Sequence, residues 1–200
     1  MTAGIECDAG FYCPGTDDTY PGSATFIQIR PTPCPSGTYG SAAGSDGSDD
    51  CAACDSGSFC DIPGQLIVGG TCEAGFVCLE GNDRPGPYAS VYDAGTSTSG
   101  KCTVGHYCGG GSLTETPCEA KFYSVNQQSS SCLSCPPGSY CTGGSHKQSC
   151  DSGYYCESES NVAAPTDGLM GDICPINYFC ESGQGTPWQC YDGTLQPDKG

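Results

Sequence analysis

The sequence predicts a small disulfide-rich fold, mostly irregular and β. It should be laid out as an elongated, solenoid-like array of cysteine-rich repeats with short hairpins and very little helix. Three observations carry this expectation. Leu, Ile, Val and Phe together supply only 25 of the 200 residues, too few for apolar burial alone to offset the entropy of ordering the chain. Nineteen cysteines stand against that shortage, a density reached by chains that are stapled rather than packed. The third observation is a heptad, Cys-x5-Cys, that recurs seven times. The 31 Gly and 15 Pro disfavour long helices and central strands.

The heptads read CDAGFYC from Cys7 to Cys13, CDSGSFC from Cys54 to Cys60, CEAGFVC from Cys72 to Cys78 and CTVGHYC from Cys102 to Cys108. They continue with CPPGSYC from Cys135 to Cys141, CDSGYYC from Cys150 to Cys156 and CPINYFC from Cys174 to Cys180. Six have Gly at the fourth place and the seventh has Asn177, the residue types that most readily take positive φ. Each heptad therefore reads as a turn with one left-handed residue followed by a short strand. The residue before the closing cysteine is aromatic in six copies and Val77 in the other. Packing of these side chains on cystine is the expected role, because the core is poor in aliphatics.

A longer unit overlies the heptads. Cys34 opens CPSGTY and is followed by an arm, the spacing Cys51-x2-Cys54 and a heptad; Cys118 opens CEAKFY and is followed by an arm, Cys132-x2-Cys135 and a heptad. Lys121 stands where the other copies have Gly or Asn, a departure from the turn pattern. The chain divides into a partial repeat at 1–33, a first super-repeat at 34–117, a second at 118–189 and the start of a truncated third at 190–200, where CYDGTL echoes CPSGTY. The stretch 122–130 could hold at most a turn or two of helix, since it lacks a sustained apolar period.

The pattern Cys-x-x-Gly-x-Tyr, an arm, then Cys-x-x-Cys-x-x-Gly-x-Tyr/Phe-Cys resembles the ephrin-receptor-like cysteine-rich repeats, relatives of the tumour-necrosis-factor-receptor type of module. The resemblance covers residues 7 to 195. It implies a disulfide-stapled rod of the kind found in large protist surface proteins, with no catalytic function. Epidermal-growth-factor-like modules need a Cys-x-Cys spacing that the chain does not contain.

Connectivity stays open at this level. Sequential pairing has two registers, one beginning with Cys7 to Cys13 and leaving Cys190, the other beginning with Cys13 to Cys34 and leaving Cys7. Interleaved pairing is a third option. The arms favour Cys34 with Cys51 and Cys118 with Cys132.

Several function classes fall away. Six Lys and Arg are scattered against 23 Asp and Glu, so there is no basic patch for nucleic acid or anionic membrane. No apolar run approaches the length of a membrane-spanning helix. The residues after Met1 lack a signal core, so a secreted chain of this kind is expected to be processed or a fragment. The two Cys-x2-Cys spacings read as structural disulfides rather than zinc or redox sites. His106 and His146, the only histidines, have no partner pattern of a catalytic site. No cofactor is expected. Asp46, Asp49 and Asp50 are the calcium candidates, with Asp17–Asp18 a smaller pair, although a solvated acidic loop is the plainer reading. No Asn-x-Ser/Thr sequon exists, so any glycan would be O-linked, for instance at Thr96–Ser99 or Ser129–Ser131.

These features point to a non-enzymatic, extracellular or cell-surface structural protein, a subunit of a fibre, filament or coat. A receptor or adhesin stalk, or a ligand-binding module, is the alternative. An odd number of cysteines leaves one without an intrachain partner. Cys190 is the candidate for an intermolecular bridge, since a long unit begun there would reach its next cysteine beyond residue 200. The expected assembly is head to tail, with the segment from Trp188 to Leu195 of one copy against the first heptad of the next and Trp188, the only Trp, as anchor.

Overall fold

The computed structural model describes residues 6–14, 30–87, 91–92 and 99–191. Asp17–Asp18, Thr96–Thr98 and most of the 190–200 segment lie outside the described residues. Among the described residues, the regular structure is a series of antiparallel hairpins whose strands are two or three residues long, plus one 3-10 turn at Ser48–Asp50. Nothing helical forms over 122–130, which opens instead with the strand Phe122–Tyr123. The turn before it throws the chain into a hairpin before helical bonds can begin.

All nine hairpins have one design. Phe11–Tyr12 pairs with Thr32–Pro33, Thr38–Tyr39 with Ala52–Ala53, Ser58–Phe59 with Gly70–Thr71, and Phe76–Val77 with Gly100–Lys101. His106–Tyr107 pairs with Thr116–Pro117, Phe122–Tyr123 with Leu133–Ser134, and Ser139–Tyr140 with Gln148–Ser149. Tyr154–Cys156 pairs with Gly171–Ile173, and Tyr178–Phe179 with Trp188–Gln189. Each outgoing strand follows a cysteine by four residues, and each return strand ends immediately before the next such cysteine. Nine modules therefore start at Cys7, Cys34, Cys54, Cys72, Cys102, Cys118, Cys135, Cys150 and Cys174; we number them 1 to 9.

The disulfides follow the register that leaves Cys190. Seven close a heptad with a sequence separation of 6: Cys7–Cys13, Cys54–Cys60, Cys72–Cys78, Cys102–Cys108, Cys135–Cys141, Cys150–Cys156 and Cys174–Cys180. Modules 2 and 6 differ: Cys34–Cys51 spans 17 residues and Cys118–Cys132 spans 14. In these two, the second cysteine arrives just ahead of the return strand instead of just after the outgoing one.

The third residue after each module's first cysteine has positive φ: Gly10, Gly37, Gly57, Gly75, Gly105, Lys121, Gly138, Gly153 and Asn177. Lys121 takes φ 78° despite its side chain. The reason lies in what this residue's backbone does. The Gly10 N–H donates forward to the Gly40 C=O at 2.8 Å, and the Cys34 N–H donates back to the Gly10 C=O at 2.9 Å. Two further bonds complete that junction, Cys13 N–H to Ser45 C=O at 3.0 Å and Gly44 N–H to Cys7 C=O at 2.8 Å. The same four bonds recur around Lys121: its N–H to Cys141 C=O at 2.9 Å, Cys135 N–H to its C=O at 2.8 Å, Ser124 N–H to Gly144 C=O at 3.0 Å, and Gly144 N–H to Cys118 C=O at 3.0 Å. A left-handed conformation costs a non-glycine residue about 1–2 kcal/mol. Four backbone bonds at about 1 kcal/mol net each outweigh that, so lysine is held where glycine would be easier.

The chain divides into two compact units, Met1–Lys101 with Gly110–Thr114, and Cys102–Gly109 with Glu115–Gly200. In the first unit the four-bond junction joins modules 1 to 2, 2 to 3 and 3 to 4; in the second it joins 5 to 6, 6 to 7, 7 to 8 and 8 to 9. Among the described residues the buried apolar side chains are cysteines almost throughout, joined by Phe76, Val77 and Pro165. The aromatic residues before the closing cysteines, such as Tyr12, Phe59 and Tyr155, are half-buried against the hairpin surface. Packing is local: the Phe59 ring lies over Gly70, its cross-strand partner, where a Cβ would meet the ring carbons at 3.1 and 3.2 Å. In module 4, buried Asn82 donates from its side-chain amide to the Cys78 Sγ at 3.3 Å and to the Arg84 carbonyl, while its backbone carbonyl accepts from the Cys60 N–H.

Turn substitutions should separate backbone strain from steric conflict. At Gly57 (φ 81°) an alanine Cβ would lie 2.6 Å from the Gly111 oxygen, whereas at Gly144 (φ 77°) nothing lies within 4 Å. Gly144→Ala should cost about 1 kcal/mol and Gly57→Ala clearly more. Lys121→Gly should stabilise module 6 by up to about 1 kcal/mol. Native-state amide exchange of the affected hairpins, with all disulfides intact, measures all three.

Candidate functional site

The cysteines of the two Cys-x2-Cys spacings end in separate disulfides. Cys51 joins Cys34 and Cys54 joins Cys60, while Cys132 joins Cys118 and Cys135 joins Cys141. Each sulfur is consumed by a staple, which leaves no thiolate at these positions for metal or redox chemistry. His106 is held inside module 5. Thr103 donates from its N–H and its hydroxyl to Glu115 Oε2, both at 2.8 Å, and His106 Nδ1 lies 3.0 Å from the Thr103 hydroxyl and 3.6 Å from Glu115 Oε1. This cluster ties the turn of module 5 to residues just before its return strand. His146 bonds its neighbour, with Nδ1 at 2.7 Å from the Ser145 hydroxyl.

The acidic loop of module 2 is organised by one carboxylate. Asp50 Oδ2 accepts from the Asp46 N–H at 2.9 Å and the Gly47 N–H at 3.3 Å, closing the turn at Ser48–Asp50. Among the described residues, no three His, Cys, Asp or Glu side chains converge as a metal cage. Asp46, Asp49 and Asp50 are thus brought into one turn, with Asp50 spent on backbone donors.

Two surfaces stand out by composition. One is the outer edge of module 9, the last module among the described residues. At every four-bond junction, the residue equivalent to Asn177 donates its N–H to the next module and the equivalent of Cys180 does the same. Here the Cys190 N–H donates to the Asn177 C=O at 3.0 Å, the bond by which each module receives the next cysteine. Among the described residues, nothing accepts from the Asn177 or Cys180 N–H. Cys190 is the free cysteine, half-buried. Trp188 is 55% exposed and stands edge-on to Phe179, with ring centroids 5.7 Å apart and planes at 84°. Beside it Gln184 is buried, its Oε1 accepting from the Glu181 N–H, while among the described residues its Nε2 finds no acceptor. Trp188 and Cys190 are therefore brought to the same edge by one return strand, and pairing of Trp188 with Phe179 could not be read from spacing alone.

The other surface is a cleft of about 330 Å³ in the second unit, lined by Tyr107, Thr116, Pro117, Glu119, Phe122 and Ser131. No motif in the sequence signals it. It forms where modules 5 and 6 meet, and its only trace in the sequence is the long arm between Cys118 and Cys132.

Asp50 provides a pH test. The Asp46 and then the Gly47 N–H lower its carboxyl pKa below the ordinary carboxylate value. The folded carboxyl therefore holds its proton less tightly than the unfolded one. Its contribution is fully present above the unfolded pKa and is lost as pH falls through the lowered folded value. The Asp46 and Gly47 amides should stay protected at neutral pH and open in acid, and Asp50→Ala should open them at every pH, as read by amide exchange.

No protein-family model matches the chain. The chain is 29% identical over 197 residues to Cysteine repeat modular protein A of Toxoplasma gondii. That match takes in 96% of this chain and 6% of the relative's length. The chain is thus a disulfide-rich cysteine-repeat array, similar in sequence to a small part of a much longer modular protein.

Proposed function

We propose that the chain is a non-enzymatic structural segment of an extracellular fibre, filament or surface coat, built of ephrin-receptor-like modules. The observation that carries this reading is the repeated four-bond junction. Within each unit, a module presents on one side the groups that its neighbour needs on the other, so one rule can extend the array module by module. An edge of that kind accepts a further module, whether from a second copy or from a neighbouring stretch. The free Cys190 and the exposed Trp188 stand on this edge, the indole as an apolar anchor to the first heptad of the next copy and the thiol as the group left to bridge, on oxidation, to the Cys190 of another copy, since Cys7 and Cys13 are already paired. Nine disulfides support an oxidising space as the chain's compartment. The 84-residue stretch 34–117 and the stretch 118–189 are the duplicated super-repeats from which the array grew, with 190–200 opening a third. Ser and Thr in the loops carry O-linked glycans that keep the coat hydrated.

A stalk in a receptor or adhesin is the second reading. The chain's small share of the relative's length favours it, since a repeat segment inside a very long protein can act as a spacer without self-assembly.

Sedimentation of the purified chain across a concentration series distinguishes them. The fibre reading expects reversible growth with concentration and, on oxidation, covalent dimers through Cys190 on non-reducing gels. Cys190→Ser should abolish the covalent species and keep the reversible ones. Trp188→Ala should weaken reversible association by about 2 kcal/mol, roughly thirtyfold in Kd. A chain that stays monomeric at the highest concentration with an unbridged Cys190 supports the stalk.

A further inference from the structure

The cleft between Tyr107 and Phe122 has no part in extending the array, and its chemistry is distinct. Tyr107 pairs across the hairpin with Thr116, which is followed by Pro117. Phe122 comes from the outgoing strand of module 6, and Ser131, next to Cys132, supplies another wall. That wall exists because the module 6 disulfide spans 14 residues and its second cysteine arrives from the return side. Two half-buried aromatic rings are thus set beside a carboxylate and two exposed hydroxyls.

The polar groups here are unspent. Among the described residues, the side chains of Thr116, Glu119 and Ser131 make no hydrogen bond to another protein group, whereas nearby Thr103, Glu115, Ser124 and Ser129 all do. No Lys or Arg lines the cleft, and the chain carries a net charge of -17. A phosphate or carboxylate ligand would be repelled. A ligand that offers one apolar face and a rim of hydroxyls fits both the rings and the oxygens.

We propose that this cleft binds a neutral saccharide. One pyranose ring lies with its C–H face on the Tyr107 and Phe122 rings, and its hydroxyls donate to Glu119 and exchange bonds with Thr116 and Ser131. Module 2 supplies an internal comparison. It is the other module with a long arm, and the residues ahead of it repeat the frame as Tyr12, Thr32 and Pro33. At the places of Glu119, Phe122 and Ser131, however, it has Pro35, Thr38 and Asp50. The saccharide chemistry therefore belongs to module 6.

The test is saturation-transfer NMR on the full chain with methyl β-galactopyranoside, methyl α-mannopyranoside and methyl β-N-acetylglucosaminide, alongside inorganic phosphate and a lysine-containing tripeptide. At least one glycoside should show transfer. Phe122→Thr, the residue that module 2 tolerates at the equivalent place, should weaken it about tenfold, and Glu119→Gln should weaken it as well, with all nine disulfides retained by mass. The proposal fails if no glycoside binds, if binding survives both substitutions, or if phosphate or the peptide binds at these residues instead. None of these outcomes depends on assembly, because Cys190→Ser should leave the saccharide signal unchanged.

Discussion

One residue per module, held at positive φ, joins the modules within each of the two units. Its left-handed conformation turns the chain into a hairpin and at the same time points its N–H toward the following module and its C=O toward the following cysteine. At Gly37, for example, the N–H reaches the Cys60 carbonyl at 2.7 Å and the carbonyl receives the Cys54 N–H at 2.8 Å. A right-handed residue at that position would break both bonds and the turn together. A second left-handed residue in each following loop completes the junction. Gly64, Gly81, Gln128 and Glu159 are examples, and each sends its N–H to the first cysteine carbonyl of the module before.

This backbone bonding explains how a chain with so little aliphatic content keeps a defined structure. Strands this short bury little, and among the described residues the interior they leave is filled mainly by sulfur, with Phe76, Val77 and Pro165 beside it. Disulfides limit the unfolded ensemble within each module, by about 2–3 kcal/mol for loops of this length. The four junction bonds couple one module to the next on a similar scale. The variable loops take no part in either, so their length and sequence are free to change, and surface function can be placed on them.

Much of this was legible from residue spacing. Gly10, Gly57, Gly75, Gly105, Gly138, Gly153 and Asn177 marked the turns, because few other residues tolerate positive φ. The short hairpins followed from the Gly and Pro content. Lys121 was less legible: its type argued against a left-handed turn, and only the junction bonds around it explain why it adopts one. Gln128 and Glu159 were hidden for the same reason. The register of the disulfides was also undetermined, since adjacent cysteines could pair in either phase; the hairpins decide it, by ending each return strand at a module's first cysteine. The short helical turn allowed near 122–130 gave way to a strand, because the aromatic pair Phe122–Tyr123 follows a left-handed residue. At the candidate surfaces, Cys190 and Trp188 could be singled out by parity and rarity. The Tyr107–Phe122 cleft could not, since it joins residues of two modules whose contact only the junction geometry defines.

Amide hydrogen exchange at the turn residues tests the central claim most directly. In the intact chain, the N–H groups of Gly37, Gly57, Lys121, Gly138 and Gly153 should exchange slowly, together with those of Cys54, Cys72, Cys135, Cys150 and Cys174 that bond back to them. Turns in an otherwise loop-rich chain would ordinarily exchange fast. Slow, concerted protection of these pairs is the expected result. Fast exchange at the turn residues, with the disulfides intact, would contradict the account, because modules would then be joined by the chain alone.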